Sequence, residues 1–150
     1  MKPKKLKANI EYTTPHGHVY RTDHKGRIKE VYADDLSLLD GGRNSYAQRT
    51  VGREDRLPDD DGGHLIARVF GGSKDIDNLV PQSKYINRSF KENGEWYNME
   101  KDWQKAIKGG GTIKNIKIEV QYESHSQRPT AFQVKYEMNN KKYERNIENI

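Results

Sequence analysis

One histidine, His64, has neighbours that suit it for chemistry. It follows three aspartates (59–61) and two glycines, and it precedes the apolar run 65–67 (LIA). Paired glycines favour a sharp turn, and the apolar run predicts a short buried element that fixes the histidine at its edge. A nearby aspartate can orient an imidazole that titrates near neutral pH, so His64 is a candidate general base acting on water. A turn followed by an ordinary core histidine is the alternative.

A second polar group follows in residues 83–91 (SKYINRSFK), whose composition predicts a helix with Ser83 as its N-cap. Asn87 lies on this helix, which would return toward the histidine. Its amide oxygen is a hard ligand suited to Mg²⁺, an ion that keeps most of its waters and needs few protein groups. Arg88 beside it could hold a phosphate oxygen. A surface position would also explain Asn87.

A second helix is predicted by apolar residues at the spacing i, i+3, i+7, i+10 and i+11. These residues are Trp96, Met99, Trp103, Ala106 and Ile107, and three glycines at 109–111 predict its end. Glu100 would lie roughly 70° from the centre of the apolar stripe, at its border. An unpaired buried charge is unfavourable, so this carboxylate needs a metal-bound water, an arginine or solvent as its partner.

Strands are predicted on both sides of these helices. Residues 8–33 contain β-prone stretches around a turn at 23–26 (DHKG). In the C-terminal third, apolar and polar residues alternate over 116–122 and 132–138, and 141–150 would add an edge strand. Such alternation is typical of antiparallel strands with one wet face.

Two further stretches carry possible ligands. We interpret residues 16–18 (HGH) as an exposed turn and not as a metal pair, because of their Pro-Gly setting. Residues 34–58 are predicted to form a loop whose four arginines could make a phosphate-binding lip: Arg43, Arg49, Arg53 and Arg56. For any single arginine, a solvated loop position is the simpler explanation.

The composition fits one domain that binds a polyanion. The 150 residues are 32% hydrophobic and 33% charged, yet nine tyrosines, two tryptophans and three phenylalanines argue against disorder. The net charge of +5 favours a polyanionic partner, most economically nucleic acid. The absence of cysteine excludes disulfides and cysteine-based zinc sites.

The N-terminal residues give no targeting signal. No apolar run approaches the length of a membrane span, and no signal-peptide core follows Met1. Residues 1–7 (MKPKKLK) are interpreted as a linker remnant and residues 8–150 as the functional domain. Export would then depend on a region upstream of this sequence.

The pattern DGGHLIA…FGG…DNLVPQ…IN resembles the DNA/RNA non-specific endonucleases of the ββα-metal superfamily. It is most similar to nuclease domains at the C-termini of secreted bacterial polymorphic toxins, and the similarity is strongest over residues 61–103. The resemblance implies an α+β fold: a ββα-metal nuclease core with an antiparallel sheet and two helices after the catalytic loop. It also implies His64 as the general base, Asn87 as the ligand of a single metal, and Glu100 as the support of the metal-bound waters.

One position departs from the family pattern. The better-known members read Asp-Arg-Gly-His, whereas this chain has Gly62 in place of the arginine. A phosphate-binding arginine must then come from elsewhere, and Arg43 and Arg49 lie upstream, where the family places such a residue. Arg88 is a further candidate for nucleic-acid binding. The implied cofactor is Mg²⁺, or another divalent cation such as Mn²⁺.

The expected function is a metal-dependent endonuclease that hydrolyses phosphodiester bonds of DNA, with RNA as a second expected substrate. As the resemblance implies, the domain would belong to a larger secreted bacterial toxin that acts in the cytoplasm of a target cell. An acidic immunity protein would then cover its basic groove in the producing cell.

Two alternatives stay open. HNH nucleases usually place a metal-ligating Asp or His before the catalytic histidine and another His on the helix, where this chain has Gly63 and Asn87. A basic nucleic-acid-binding module without catalysis would need neither a metal nor an ordered histidine loop.

Overall fold

A computed structural model describes residues 5–39, 45–89 and 93–150. The strands in these ranges are β1 Glu11–Thr13, β2 Val19–Thr22, β3 Ile28–Asp35, β4 Asp60–His64, β5 Leu79–Ser83, β6 Ile113–Tyr122, β7 Pro129–Met138 and β8 Lys141–Glu148. The α-helices are α1 Ser45–Thr50, α2 Lys84–Asn87 and α3 Glu95–Lys108, and short 3₁₀ helices span Arg53–Asp55, Arg68–Phe70 and Ile76–Asn78.

A six-stranded antiparallel sheet forms the larger part of the fold. Its strands lie in the order β1-β2-β3-β6-β7-β8. The alternation in β6 and β7 buries one face, and the apolar stripe of α3 packs against that face. Trp96 contacts Phe132 with ring centroids 5.0 Å apart, and Trp103 contacts Tyr136 at 5.1 Å. The predicted second helix, its glycine stop and the C-terminal strands are confirmed.

A second, two-stranded sheet pairs β4 with β5, and α2 follows β5 directly. The order strand, strand, helix is the ββα arrangement that the resemblance implies. Leu65 and Ile66, directly after β4, are fully buried in the same core as the large sheet. The predicted α+β architecture with two helices after the histidine is therefore confirmed.

Three local predictions were wrong in part. Residues 34–58 are not loop throughout, because 45–50 form α1. The helix predicted over 83–91 ends at Asn87, since Arg88 has an extended backbone, although Ser83 is its N-cap as predicted. The exposed turn at 16–18 is right for the first two residues and wrong for His18, which is buried.

His18 is buried because it precedes β2 in alternation with Tyr20 and Thr22, which face the core. Desolvation lowers the pKa of its imidazole.

The N-terminal segment contacts the domain. Leu6 packs against the core, and the carbonyl of Lys7 accepts a hydrogen bond of 2.7 Å from the hydroxyl of Thr22. The proposed boundary after residue 7 stays a prediction. In the described part of the chain, no helix has the length and apolar character needed to cross a bilayer.

Candidate active site

Asp61 holds both polar residues at the end of α2. Its carboxylate accepts hydrogen bonds from Nδ2 of Asn87 at 3.0 Å and from Nε and Nη2 of Arg88 at 2.9 and 2.6 Å. A carboxylate accepts only, so the amide nitrogen of Asn87 must face it. The carboxamide oxygen of Asn87 is consequently the atom left to ligate a cation.

The electrostatics of Asp61 agree with this geometry. Burial alone would raise the pKa of its carboxyl, but the hydrogen bonds from Arg88 and Asn87 outweigh burial, and the pKa is lowered. Asp61 therefore stays ionised at neutral pH and keeps orienting Asn87.

A cleft of about 410 Å³ opens at this point. Its lining consists of Gln48, Arg49, Arg56, Asp61, Gly62, Asn87 and Arg88. Three arginines against one aspartate make it suited to a phosphate-bearing ligand. The structure thus brings together Asn87, Arg49 and Arg88, three of the residues singled out in the sequence, whereas Arg43 lies outside the described residues.

Gly62 is the position where the better-known family members have an arginine, and here α1 occupies the space. A Cβ on Gly62 would lie 2.2 Å from the carbonyl oxygen of Gln48 in α1. The guanidinium of Arg56 donates to that same carbonyl and, at 3.0 Å, to the carbonyl of Asp60. The cleft therefore has arginines from α1 and from the loop after it, instead of one from β4.

His64 ends β4 opposite Leu79. Strand alternation places it on the same face as Gly62, about 7 Å further along the strand. His64 is not among the residues that line the cleft, although Gly62 is. His64 therefore lies on the strand that forms one wall of the arginine-lined cleft, on the face of Asp60 and Gly62 and opposite the face of Asp61, and its role as general base stays a prediction.

Asn78 fixes the chain directly after His64 through hydrogen bonds to the backbone of Ile66. Its Oδ1 accepts from the backbone N–H of Ile66 at 2.9 Å and from the hydroxyl of Tyr20 at 2.7 Å. Its Nδ2 donates to the carbonyls of Ile66 and Ser73 at 2.6 and 2.9 Å. This fully buried amide therefore connects the residues directly after His64 to β2 of the large sheet.

Glu100 lies on α3 and does not line the cleft. Its side chain is partly exposed, yet desolvation by the surrounding protein raises the pKa of its carboxyl to about 8. A buried carboxylate of this kind gains from a nearby cation, because the cation offsets the cost of ionisation.

The donor chemistry fits a hydrated Mg²⁺ or Mn²⁺ ion. Within the described ranges, no three His, Cys, Asp or Glu side chains are grouped closely enough to hold a metal. The available ligand is the amide oxygen of Asn87, and hard oxygen donors are what Mg²⁺ prefers. An ion that keeps most of its waters needs few protein ligands, so this donor set is sufficient.

Sequence reasoning did not identify Asp61 as the partner of Asn87, nor Gln48 as part of the cleft wall. Asp61 could have been separated from Asp60 by strand alternation, since the two point to opposite faces of β4. Gln48 gives no such signal. Arg56 was noted only as one of four arginines in a predicted loop.

Comparison with known proteins identifies the family. The family described as DNA/RNA non-specific endonuclease matches residues 8–140. The type VII secretion system protein EssD of Staphylococcus aureus is 73% identical over all 150 residues in strains USA300 and NCTC 8325. The chain spans about a quarter, 24%, of the length of these relatives.

Two crystal structures of NucA from Streptococcus agalactiae share the fold. The form with magnesium bound gives a TM-score of 0.67 at 17% identity, and the form with no metal gives 0.62 at 16%. Each comparison covers 98% of this chain and 76% of NucA. The shared fold and the family match over most of its length show that the chain belongs to the DNA/RNA non-specific endonuclease family of nucleases.

Proposed function

We propose that this domain is a metal-dependent endonuclease that hydrolyses phosphodiester bonds of DNA and accepts RNA as well. The observation that carries the proposal is the Asp61–Asn87 hydrogen bond of 3.0 Å inside a cleft lined by three arginines. It presents an oriented amide oxygen at the place where anionic phosphates would collect.

The residues have distinct roles in this proposal. Arg49, Arg56 and Arg88 bind backbone phosphates, so bases are largely unread and cleavage is non-specific. His64 removes a proton from the attacking water, in line with the scissile bond. Asn87 would hold one Mg²⁺ or Mn²⁺ and Glu100 would support the waters of that ion, which would stabilise the negative charge that develops during phosphodiester cleavage.

A plasmid assay tests this function. The purified domain is incubated with supercoiled plasmid and with structured RNA, in Mg²⁺ and in excess EDTA. We expect cleavage only with the metal, and an Asn87→Ala variant is expected to lose it. Asn146→Ala is the matched control, because Asn146 is an exposed residue of β8 that does not line the cleft.

The same assay separates the alternatives. Binding without cleavage in any divalent cation would favour a non-catalytic nucleic-acid-binding module. Undiminished cleavage by Asn87→Ala would contradict the metal role of Asn87. The HNH alternative is disfavoured because Gly63 has no side chain to ligate a metal, and its Cβ would lie 2.2 Å from Oε1 of Gln82.

We further propose that the domain is the toxic part of a longer protein that is secreted and acts in the cytoplasm of a target cell. Its 73% identity to part of EssD, a type VII secretion system protein, supports secretion of the longer protein. The producing cell would then need an acidic immunity protein that covers the arginine-lined cleft. Its affinity should weaken as salt rises, and binding insensitive to salt and to charge changes at Arg49 and Arg88 would contradict this.

A further inference from the structure

Asn149, near the C-terminus of the chain, takes the place of a neighbouring strand beside β5. Its Oδ1 accepts from the backbone N–H of Ser83 at 2.7 Å, and its Nδ2 donates to the carbonyl of Pro81 at 3.0 Å. The same Nδ2 donates to the carbonyl of Pro129 at 2.8 Å, at the start of β7. One buried amide therefore bonds the outer edge of the small sheet to the large sheet.

Arg128 makes a parallel connection to β4. Its Nε and Nη2 donate to both carboxylate oxygens of Asp60, at 2.7 and 2.9 Å. The Asp60 side chain is 1% exposed and that of Arg128 15%, so the pair is largely shielded from water. The remaining Nη1 of Arg128 donates to the carbonyl of Asn149 at 2.9 Å, which joins the two connections into one clamp.

Both connections of this Arg128–Asn149 clamp contact residues that are adjacent to the supports of Asn87. Asp60 is the direct neighbour of Asp61, which orients the Asn87 carboxamide. Ser83 is the N-cap of α2 and accepts from the N–H of Tyr85 at 3.2 Å. Asn87 lies only about 6 Å further along this helix, so a shift of the cap moves Asn87 with it.

The elements that carry Asp61 and Asn87 are too short to hold their own positions. An isolated pair of strands is marginally stable, and a helix of four residues has almost no stability of its own. The positions of β4, β5 and α2 must therefore be fixed by contacts from outside them. The clamp provides four buried or half-buried hydrogen bonds from this unit to Arg128, directly before β7, and to Asn149.

We propose that Arg128 and Asn149 are positioning residues for the metal site: they hold β4 and the start of α2 so that Asp61 presents the Asn87 oxygen to the cation. This inference rests on the proposed function of the cleft. A purely structural clamp would alter the stability of the protein without altering the affinity of the folded protein for a divalent cation.

The test measures Mn²⁺ binding to the domain without nucleic acid, by electron paramagnetic resonance of the free ion. We expect Asn149→Ala and Arg128→Lys each to raise the apparent Kd for Mn²⁺ about tenfold, as loss of a residue that orients a metal ligand typically does. Arg128→Lys keeps the charge but cannot make the paired contact with Asp60, so it decides the question if Asn149→Ala does not fold.

Two controls separate positioning from stability. Asn146→Ala removes an exposed amide from β8 and should leave Mn²⁺ affinity unchanged. Tyr136→Phe removes the hydrogen bond of 2.9 Å from Arg145 to the Tyr136 hydroxyl, and neither residue lines the cleft, so this variant should lower Tm without changing the Kd. All proteins are compared well below their Tm.

The outcomes are distinguishable. Wild-type affinity in both clamp variants, with Mn²⁺ bound by the wild type, would overturn the positioning role and leave the proposed function intact. Equal weakening in Tyr136→Phe would also overturn it, because any loss of stability would then have the same effect. If the wild type bound no Mn²⁺ at all, the proposed metal site would fail together with this inference.

Discussion

The six-stranded sheet and the cleft module (α1, β4, β5 and α2) are stabilised in different ways. In the sheet, strands β6 and β7 have ten residues each and pair along most of their length, and one face is packed by the aromatic residues of α3. In the cleft module, two strands of five residues and helices of six and four residues are held by individual side chains. The polar contacts of Asn78, Asp60 and Asn149 supplement the short backbone ladder between β4 and β5 there.

This difference separates stability from function within one domain. Long strands with one buried face provide cooperative stability, and they leave little freedom for irregular polar groups. Short elements held by hydrogen bonds can present an arginine, an amide and a histidine at defined positions. Changes in the sheet should therefore affect mainly folding, and changes in the cleft module should affect mainly catalysis.

The largest effect on catalysis is expected for His64→Ala. Removal of a general base typically lowers the rate about 10²–10⁴-fold, so kcat/KM for plasmid cleavage should fall by that factor. Tm should change little, because His64 is partly exposed at the end of a strand. His24→Ala, at an exposed turn of the sheet, is the control and should cleave like the wild type. Full metal-dependent cleavage by His64→Ala would refute its role.

Trp103→Ala should show the opposite pattern. Its ring lies 5.9 Å from Phe70 and 5.1 Å from Tyr136, between centroids, and the residue is fully buried. Truncation of such a residue costs about 3–5 kcal/mol of unfolding free energy, measurable by urea denaturation. The kcat/KM of the folded fraction, measured at low temperature, should stay near that of the wild type. A loss of kcat/KM as large as that expected for His64→Ala would contradict the proposed division between the two regions.

Glu100, on α3, gives a pH-dependent prediction. Its pKa is raised from 4.5 to about 8, so the folded state binds this proton more tightly than the unfolded state. The stability that Glu100 contributes is present below pH 4.5 and is lost as the pH rises to about 8. Glu100→Gln should therefore be more stable than the wild type by a few kcal/mol, roughly, at pH 8 in EDTA, and equal to it near pH 4.

The same Glu100→Gln variant should cleave plasmid more slowly, because a neutral amide supports metal-bound water less well than a carboxylate. Thermal unfolding at several pH values, with and without Mg²⁺, measures the stability difference. A wild type and variant with parallel pH profiles would contradict the burial of this carboxyl.

The smallest effect is expected for Arg49→Ala. Arg49 is exposed in the last turn of α1 and lines the cleft. Loss of one phosphate contact should raise KM modestly and reduce the slope of log K against log salt by about 0.9. Arg145→Ala, on β8 of the large sheet, should leave the slope unchanged. Equal slopes for Arg49→Ala and the wild type would remove Arg49 from the phosphate-binding surface.

The large sheet and α3 could be predicted from sequence because their periodicity directly reports burial. Alternation over 116–122 and 132–138 and the helical spacing from Trp96 to Ile107 each identify one buried face. The helix α1 has six residues in an arginine-rich stretch and no apolar period, so no local pattern identified it. His18 was misjudged because the HGH sequence suggested a turn and gave no sign of the strand that follows.

Only those residues of the candidate site that stand at motif positions could be predicted from the sequence. His64 and Asn87 stand at motif positions, whereas the three aspartates 59–61 look alike in sequence and differ in the structure. Asp60 is bound by Arg128 and Asp61 by Arg88, because successive residues of a strand face opposite sides. Arg128 lies 68 residues from Asp60, and no local pattern reports a contact of that separation.

The central claim is that the Asn87 carboxamide, in the arginine-lined cleft, holds the catalytic cation. The most direct test is a crystal of the domain soaked with Mn²⁺, with anomalous diffraction recorded at the manganese edge. We predict a single strong peak about 2.1 Å from Oδ1 of Asn87, with the His64 imidazole facing the same pocket. A peak bound elsewhere, with none at Asn87, would contradict the account.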